Sequence, residues 1–495
     1  MGIIIRQSVR GAFWSYLGIV IGYINVGIIM PQFFDTAQIG LVQLFASVSL
    51  IFAQFGTLGF NSVVNRLFPH FRNQERKHNG FLFLAIATGL TGFLVTAAGF
   101  YVLRPWVVES NLERSPLVVD YLWLMVPLIF MRILFSLLDN YNKVLYDSVT
   151  GTFWLDFMHK VINLTLIVLY ALGVVDFRFF FMGYVVSMSL PVVPVIAVLV
   201  RRGQFSLQPR LSFLTPGLRR ETGRTMLFGF INGLAGVILL NVDKVFVNQY
   251  LSLSDVGIFG VCALFATLIR VPYNSISRIA TGIIAEAWKR DDRDHIREIY
   301  RKAATNQAIA GTLVFAGILV NLDNIFRILP PVYGDGRMVM VIYSAGMLVN
   351  TVIALAGNIT ESSKYFGFNT LFLTLSIGIQ ALLSMWLIPR FGINGAALAT
   401  SLTLIINSLL QAALQKVAFG IYGVTSRILL VFLAGFAAVA AGVLLPAMPL
   451  IPDILCRSGL VILIFTAMIL LMKLSPELHE LLRSWTSRFT PQSRR

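Results

Sequence analysis

The chain has 495 residues, of which 57% are hydrophobic and only 13% charged, with a mean hydropathy of +0.78 and a formal net charge of +16. A soluble globular chain carries about a quarter charged residues, so this composition excludes a water-solvated domain and calls for lipid as solvent, where backbone polar groups must be satisfied inside helices or a closed barrel. The basic balance does not make a nucleic-acid binder, because the lysines and arginines sit mostly in loops between apolar stretches.

Stretches such as 428–445 and 460–472 are continuously apolar without alternation, so the spanning units are helices rather than barrel strands. The chain starts with Arg6 and Arg10 before an apolar run that has no small-residue cleavage site, which reads as an uncleaved first span. Spans of about 20 residues are predicted at 11–33, 38–64, 80–103, 117–138, 150–174 and 178–200. A basic, proline-containing segment, Arg201 to Arg224, follows. Further spans are predicted at 225–250, 253–285, 303–326, 337–359, 366–388, 392–415, 424–446 and 454–473, about fourteen in all. Alternate loops hold most of the lysine and arginine, with Arg201 to Arg224 and Trp288 to Lys302 the richest, so the positive-inside rule predicts cytoplasmic N- and C-termini. Both segments read as topogenic charge, and the second as a short surface helix. After Ser475 and Pro476, a tail with Leu478, Leu481, Leu482, Trp485 and Phe489 on one face is predicted to lie in the cytoplasmic interface.

The predicted architecture is an all-α integral membrane protein of two pseudo-symmetric six-helix lobes plus two C-terminal helices. The segments are an N-lobe at 1–200, a cytoplasmic linker at 201–224, a C-lobe at 225–416, two further spans within 417–474 and the tail at 475–495. A trace of the repeat is visible. The junction of spans one and two reads Gln32-Phe-Phe-Asp-Thr-Ala-Gln-Ile-Gly40, and that of spans seven and eight reads Gln249-Tyr-Leu-Ser-Leu-Ser-Asp-Val-Gly257. Chance similarity between two turn-plus-helix stretches is the competing reading.

Ionisable residues inside spans are costly unless paired or facing water, so each is a functional candidate. They are Arg132, Asp156, Lys160, Asp243, Lys244, Arg270 and Arg278. Asp156 and Lys160 stand four residues apart, a spacing that lets them neutralise one another, with Arg132 able to join; the plainer reading is a structural ion-pair cluster. Arg270, Asn274 and Arg278 form a cationic stripe on span eight beside Pro272. Arg278 near its span end, and Lys244, also suit simple snorkelling to the interface. If these stripes share one interior, the product is a basic chamber whose natural guest is phosphate, because arginine offers a fork of donors suited to phosphate oxygens. Asp156 and Asp243 are candidates for a coupling proton or sodium ion, or else counter-ions.

An enzyme is disfavoured. His70, His78, His295 and His479 fall in loops, leaving His159 alone in a span, and the two cysteines, Cys262 and Cys456, support neither a disulfide framework nor a metal site. No P-loop or dinucleotide glycine motif is present, so no cofactor is expected.

Three stretches carry a family resemblance: Ile39-Gly40 with Phe55-Gly56-Thr-Leu-Gly59-Phe60 and Asn65-Arg66-Leu-Phe-Pro69; Asn241-Val-Asp243-Lys244-Val-Phe-Val with Asp255-Val-Gly257-Ile-Phe259; and Leu387-Ile-Pro389-Arg-Phe391-Gly392-Ile-Asn-Gly395-Ala396-Ala397-Leu-Ala399-Thr400. Together they resemble Wzx-type polysaccharide and O-antigen flippases of the multidrug/oligosaccharidyl-lipid/polysaccharide superfamily. The resemblance implies a two-lobed bundle in the bacterial cytoplasmic membrane whose central cavity opens alternately to each side. It also implies a polyprenyl-diphosphate-linked oligosaccharide as cargo and polysaccharide (lipopolysaccharide) synthesis machinery as a partner. Arg66, Arg132, Lys160, Arg270 and Arg278 would then hold the diphosphate. The related multidrug extrusion branch shares the architecture with cationic substrates, which a cationic chamber would repel; a membrane-embedded glycan-processing enzyme is the remaining alternative.

Overall fold

The computed structural model describes residues 2–474, so the tail predicted at 475–495 lies outside the described residues. Those residues are almost wholly helical and contain no strand. Thirteen of their helices are long and apolar enough to cross a membrane, and the chain is a multi-pass membrane protein. They are α1 (Arg10–Phe33), α2 (Thr36–Gly56), α3 (Lys77–Asn111), α4 (Pro116–Val144), α5 (Val149–Ala171), α6 (Phe177–Arg201), α7 (Pro216–Tyr250), α8 (Leu253–Lys289), α9 (Arg293–Val320), α10 (Pro331–Ile353), α11 (Phe366–Phe419), α12 (Ser426–Val443) and α13 (Leu450–Leu471). The long α11 contains two of the spans read from sequence, joined at Gly392, whose φ of 57° and ψ of −139° lie outside helical values just after Pro389. Large apolar side chains such as Leu94, Val102, Leu382, Phe436 and Leu463 stand exposed along these helices, as lipid-facing residues must.

Two boundaries differ from the sequence reading for local reasons. Span two, read as 38–64, ends at Gly56, because Leu58 and Gly59 adopt left-handed backbone before a separate helix, Phe60–Phe71. Gly59 cannot be replaced there without strain: a Cβ would meet the Met226 carbonyl of α7 at 2.1 Å. Span ten, read as 337–359, breaks after Ile353, and a short helix, Leu355–Ser362, takes over.

The molecule divides into two compact units. The first holds the described residues up to Val261 together with Ala381–Ala396; the second holds Cys262–Gln380 and the described residues from Ala397 onward. In the first, α7 packs on α2 and on the Phe60–Phe71 helix. The two junctions that read as a repeat meet face to face in this unit. A Cβ on Gly40 would strike the Leu253 carbonyl at 1.9 Å, and one on Gly257 would strike the Thr36 carbonyl at 2.0 Å. Gly260 in turn lies against the Gln43 side chain, and the hydroxyls of Thr36 and Ser254 are hydrogen-bonded. Glycine at equivalent places is thus what lets two helix starts cross at backbone distance.

In the second unit, α9 packs against α10, α12 and α13. The start of α13 is tied down by a polar cluster. The buried Asp453 carboxylate accepts from Asn324 Nδ2 at 2.6 Å and from Arg457 Nε at 2.7 Å. The Arg457 terminal nitrogens donate to the Gly442 and Leu445 carbonyls at 2.8 and 2.9 Å, which closes the C-terminal end of α12.

Candidate functional site: a half-buried cationic cluster

The chemistry in the first unit concentrates where α1, α4, α5 and α6 meet. Two π turns shape this region, Ile24–Ile29 in α1 and Phe153–Met158 in α5; such turns commonly mark functional positions. Gly18 allows α1 to touch α5, since a Cβ there would lie 1.9 Å from the Asp156 carbonyl. One turn on, the Lys160 side chain lies over Gly22, with Nζ 3.3 Å from where a Cβ would be. Asn25 Nδ2 donates to the Lys160 carbonyl at 2.8 Å, while Asn25 Oδ1 is buried without a partner.

The expected Asp156–Lys160 ion pair is not formed. Asp156 instead accepts from Ser15 Oγ of α1 at 2.9 Å, and among the described residues Lys160 has no carboxylate within 4.0 Å. The four-residue spacing aligns two side chains only on an α-helix. Asp156 belongs to the π turn and Lys160 follows it, so the widened turn rotates the two apart.

Arg132 on α4 is equally unneutralised. One terminal nitrogen lies 3.5 Å from Met188 Sδ, a weak acceptor, and its Nε is buried with no partner. Lys160 feels the charge of Asp156 first and that of Arg132 second, and His159 feels both Lys160 and Arg132. The Ser187 hydroxyl donates to the Tyr184 carbonyl at 2.7 Å, so it must accept from His159 Nδ1 at 3.0 Å. That assigns the Nδ1–H tautomer and leaves Nε2 as an acceptor. Asn163, one turn along α5, is buried with an unpartnered Oδ1. The result is two cations with open donor capacity inside a helical unit, a setting in which an anion is the missing partner.

The other sequence candidates are distributed as follows. Arg66 is exposed on the Phe60–Phe71 helix, opposite its buried face of Phe60, Val63, Val64, Leu67, Phe68 and Phe71. Asp243 on α7 is buried at 1% exposure; its Oδ1 takes the Lys244 amide at 2.8 Å with Lys244 Nζ at 3.5 Å, and its Oδ2 is buried without a partner. In the second unit, Arg270 occupies a 3₁₀ turn, Leu268–Arg270, that interrupts α8, and lies half-buried with its guanidinium 5.7 Å from the Tyr273 ring centre. Tyr273 donates to Asn358 Oδ1 at 3.2 Å, and Asn358 Nδ2 reaches Ser277 at 2.6 Å and Thr281 at 2.7 Å, which pins α8 to the Leu355–Ser362 helix. Asn274 and Arg278 are exposed. The structure therefore brings Arg132, Lys160 and Asp156 together in the first unit, with Arg270 and Arg278 in the second.

The sequence reading passes over His159 as a polar contributor and over Asn25, Ser187, Asp139, Asp453 and Arg457. Asp139 is buried and paired to Lys143 at 2.6 Å. It falls one residue past the predicted end of its span, as Asp453 falls one before the start of its own.

No family model matches the chain. Two curated proteins of Haloferax volcanii are similar in sequence: "Probable flippase AglR", 26% identical over 200 residues, and "Probable low-salt glycan biosynthesis flippase Agl15", 21% identical over 189 residues. The matched stretches span 38% and 37% of this chain and only 40% and 39% of those proteins. In fold, the chain is similar to the lipid II flippase MurJ in an inward closed conformation, with a TM-score of 0.73 over 94% of this chain and 98% of that one at 13% identity. The likeness to MurJ is one of fold, and the three together support the resemblance to superfamily flippases; these similar proteins are transporters rather than enzymes.

Proposed function

We propose that the protein is a flippase that moves a polyprenyl-diphosphate-linked oligosaccharide across a bacterial cytoplasmic membrane by alternating access, for export of a cell-surface polysaccharide such as an O-antigen. The observation that carries this reading is the Arg132–Lys160 pair, left without a carboxylate inside a fold like that of a lipid II flippase. A diphosphate supplies the acceptors the Arg132 fork lacks, and the low dielectric around it strengthens each contact. Arg66 in the same unit, and Arg270 and Arg278 in the second, are the remaining diphosphate candidates on this reading. Asp243, with one buried oxygen unpartnered, is the stronger of the two coupling-ion candidates, since the Asp156 carboxylate takes the Ser15 hydroxyl. Both termini are cytoplasmic, substrate comes from the synthesis machinery, and the Gly40–Gly257 crossing closes the outer side.

Reconstituted protein is given a lipid-linked oligosaccharide and, in parallel, a fluorescent cationic drug. Movement of the anionic lipid alone is the expected result. Drug movement alone would transfer the protein to the extrusion branch, and movement of neither by folded protein would sink the transport reading. A disulfide between Thr36→Cys and Ser254→Cys should stop lipid movement until it is reduced; undiminished movement in the oxidised protein would remove the crossing from the cycle.

A further inference from the structure

A second basic feature lies far along the chain from Arg132 and Lys160, wholly within the second unit. A cavity of about 640 Å³ opens between the end of α8, the start of α9, the residues after the Leu355–Ser362 helix and the end of α11. Its aromatic wall is Trp288 and Phe419, whose ring centres are 4.6 Å apart. Lys289, Arg293 and Lys364 line it, with Asp291 as the one acidic lining residue.

The charges do not cancel. Asp291 is taken by Arg293 at 3.2 Å, whereas Lys289 and Lys364 have no carboxylate within 4.0 Å among the described residues. Lys364 Nζ stands 5.2 Å from the Tyr365 ring centre, a contact that leaves its three donors available. Trp288 Nε1 is buried and has no acceptor. The cavity thus joins two uncompensated ammonium groups and an indole donor that lacks its bond to an apolar aromatic surface. A phosphate ester carrying an apolar body satisfies all of these at once: its oxygens take the ammonium and indole hydrogens, and its body covers the rings. All the loops involved belong to the set that is rich in lysine and arginine, the side on which anionic lipid headgroups are concentrated under the positive-inside reading.

We propose that this cavity binds the phosphate of an anionic glycerophospholipid from the adjacent leaflet, as a site separate from the transported substrate, so that one headgroup ties the ends of α8, α9 and α11 together. The test uses full-length protein in neutral detergent. Phosphatidylglycerol, phosphatidylcholine and inorganic phosphate serve as probes, and bound lipid is counted by native mass spectrometry. Wild type should hold phosphatidylglycerol roughly tenfold more tightly than phosphatidylcholine, and Lys289→Gln with Lys364→Gln should lose one phosphatidylglycerol per protein. Both lysines are exposed, so the fold is not at risk; an unchanged thermal midpoint without lipid checks this, and Lys289→Arg with Lys364→Arg should restore binding. If millimolar inorganic phosphate displaces that lipid, the site takes phosphate esters in general; if it does not, the glycerolipid body is required. Equal retention of the two lipids by wild type, or an unchanged phosphatidylglycerol count in the double glutamine variant, overturns the proposal.

Discussion

Asp156 and Lys160 on α5 share a sequence signature with Asp453 and Arg457 on α13: a carboxylate, three intervening residues, then a cation, at the level of a membrane span. On α13 the signature closes into an ion pair at 2.7 Å, and each terminal nitrogen of Arg457 finds a backbone carbonyl. On α5 the π turn Phe153–Met158 intervenes, Asp156 turns to Ser15, and neither Lys160 nor the nearby Arg132 has a carboxylate within 4.0 Å among the described residues. A satisfied cluster holds helices together and has nothing to offer a ligand; an unsatisfied one costs stability and is retained where something else supplies the missing charge. The same spacing therefore marks a strut in one unit and a binding candidate in the other.

Substitutions can break that contrast. The largest effect is expected from Arg132→Ala, which should lower lipid translocation roughly 100-fold by removing a charge-assisted contact. Its thermal midpoint in detergent should be unchanged or higher, because a half-buried charge without an ion-pair partner is lost; a fall in stability equal to the fall in transport would make Arg132 a strut like Arg457. Next, Gly18→Ala should destabilise the protein by about 1–3 kcal/mol, since its methyl group has no space against the Asp156 carbonyl. A thermal midpoint equal to wild type would show that α1 and α5 separate freely there. Third, Arg457→Met should reduce the folded protein recovered from membranes several-fold while transport per folded molecule stays near wild type; a selective loss of transport instead would give the α13 cluster a substrate role. The mildest is Ser15→Ala, which removes the hydrogen bond that orients Asp156 and should slow translocation about two- to fivefold, in keeping with one hydrogen bond of about 1 kcal/mol. Wild-type rates would separate the Asp156 orientation from function.

Most of the fold was legible because a helix in lipid announces itself: about twenty consecutive apolar residues admit little else. Every predicted span overlaps a helix, though spans two and ten run past the ends of theirs and two spans share α11, and the Gln32–Gly40 and Gln249–Gly257 stretches are helix starts that meet in space. Arg132, Lys160 and Asp156 were legible as costly residues inside spans. What they bond to was not, because Ser15, Asn25 and Met188 reach them from other helices, 56 to 141 residues away in the chain.

The sequence by itself determined the solvent, the helices and their order, through the length and continuity of apolar runs, and it singled out the charges that lipid makes expensive. Only the tertiary structure decided which of those charges are quenched. That depends on a turn widening from α to π at Phe153–Met158, on glycines that bring α1 onto α5, and on backbone carbonyls at the end of α12 that happen to face Arg457. Ion pairing requires contact within a few ångströms, and residue spacing predicts such contact only while the helix keeps a single period.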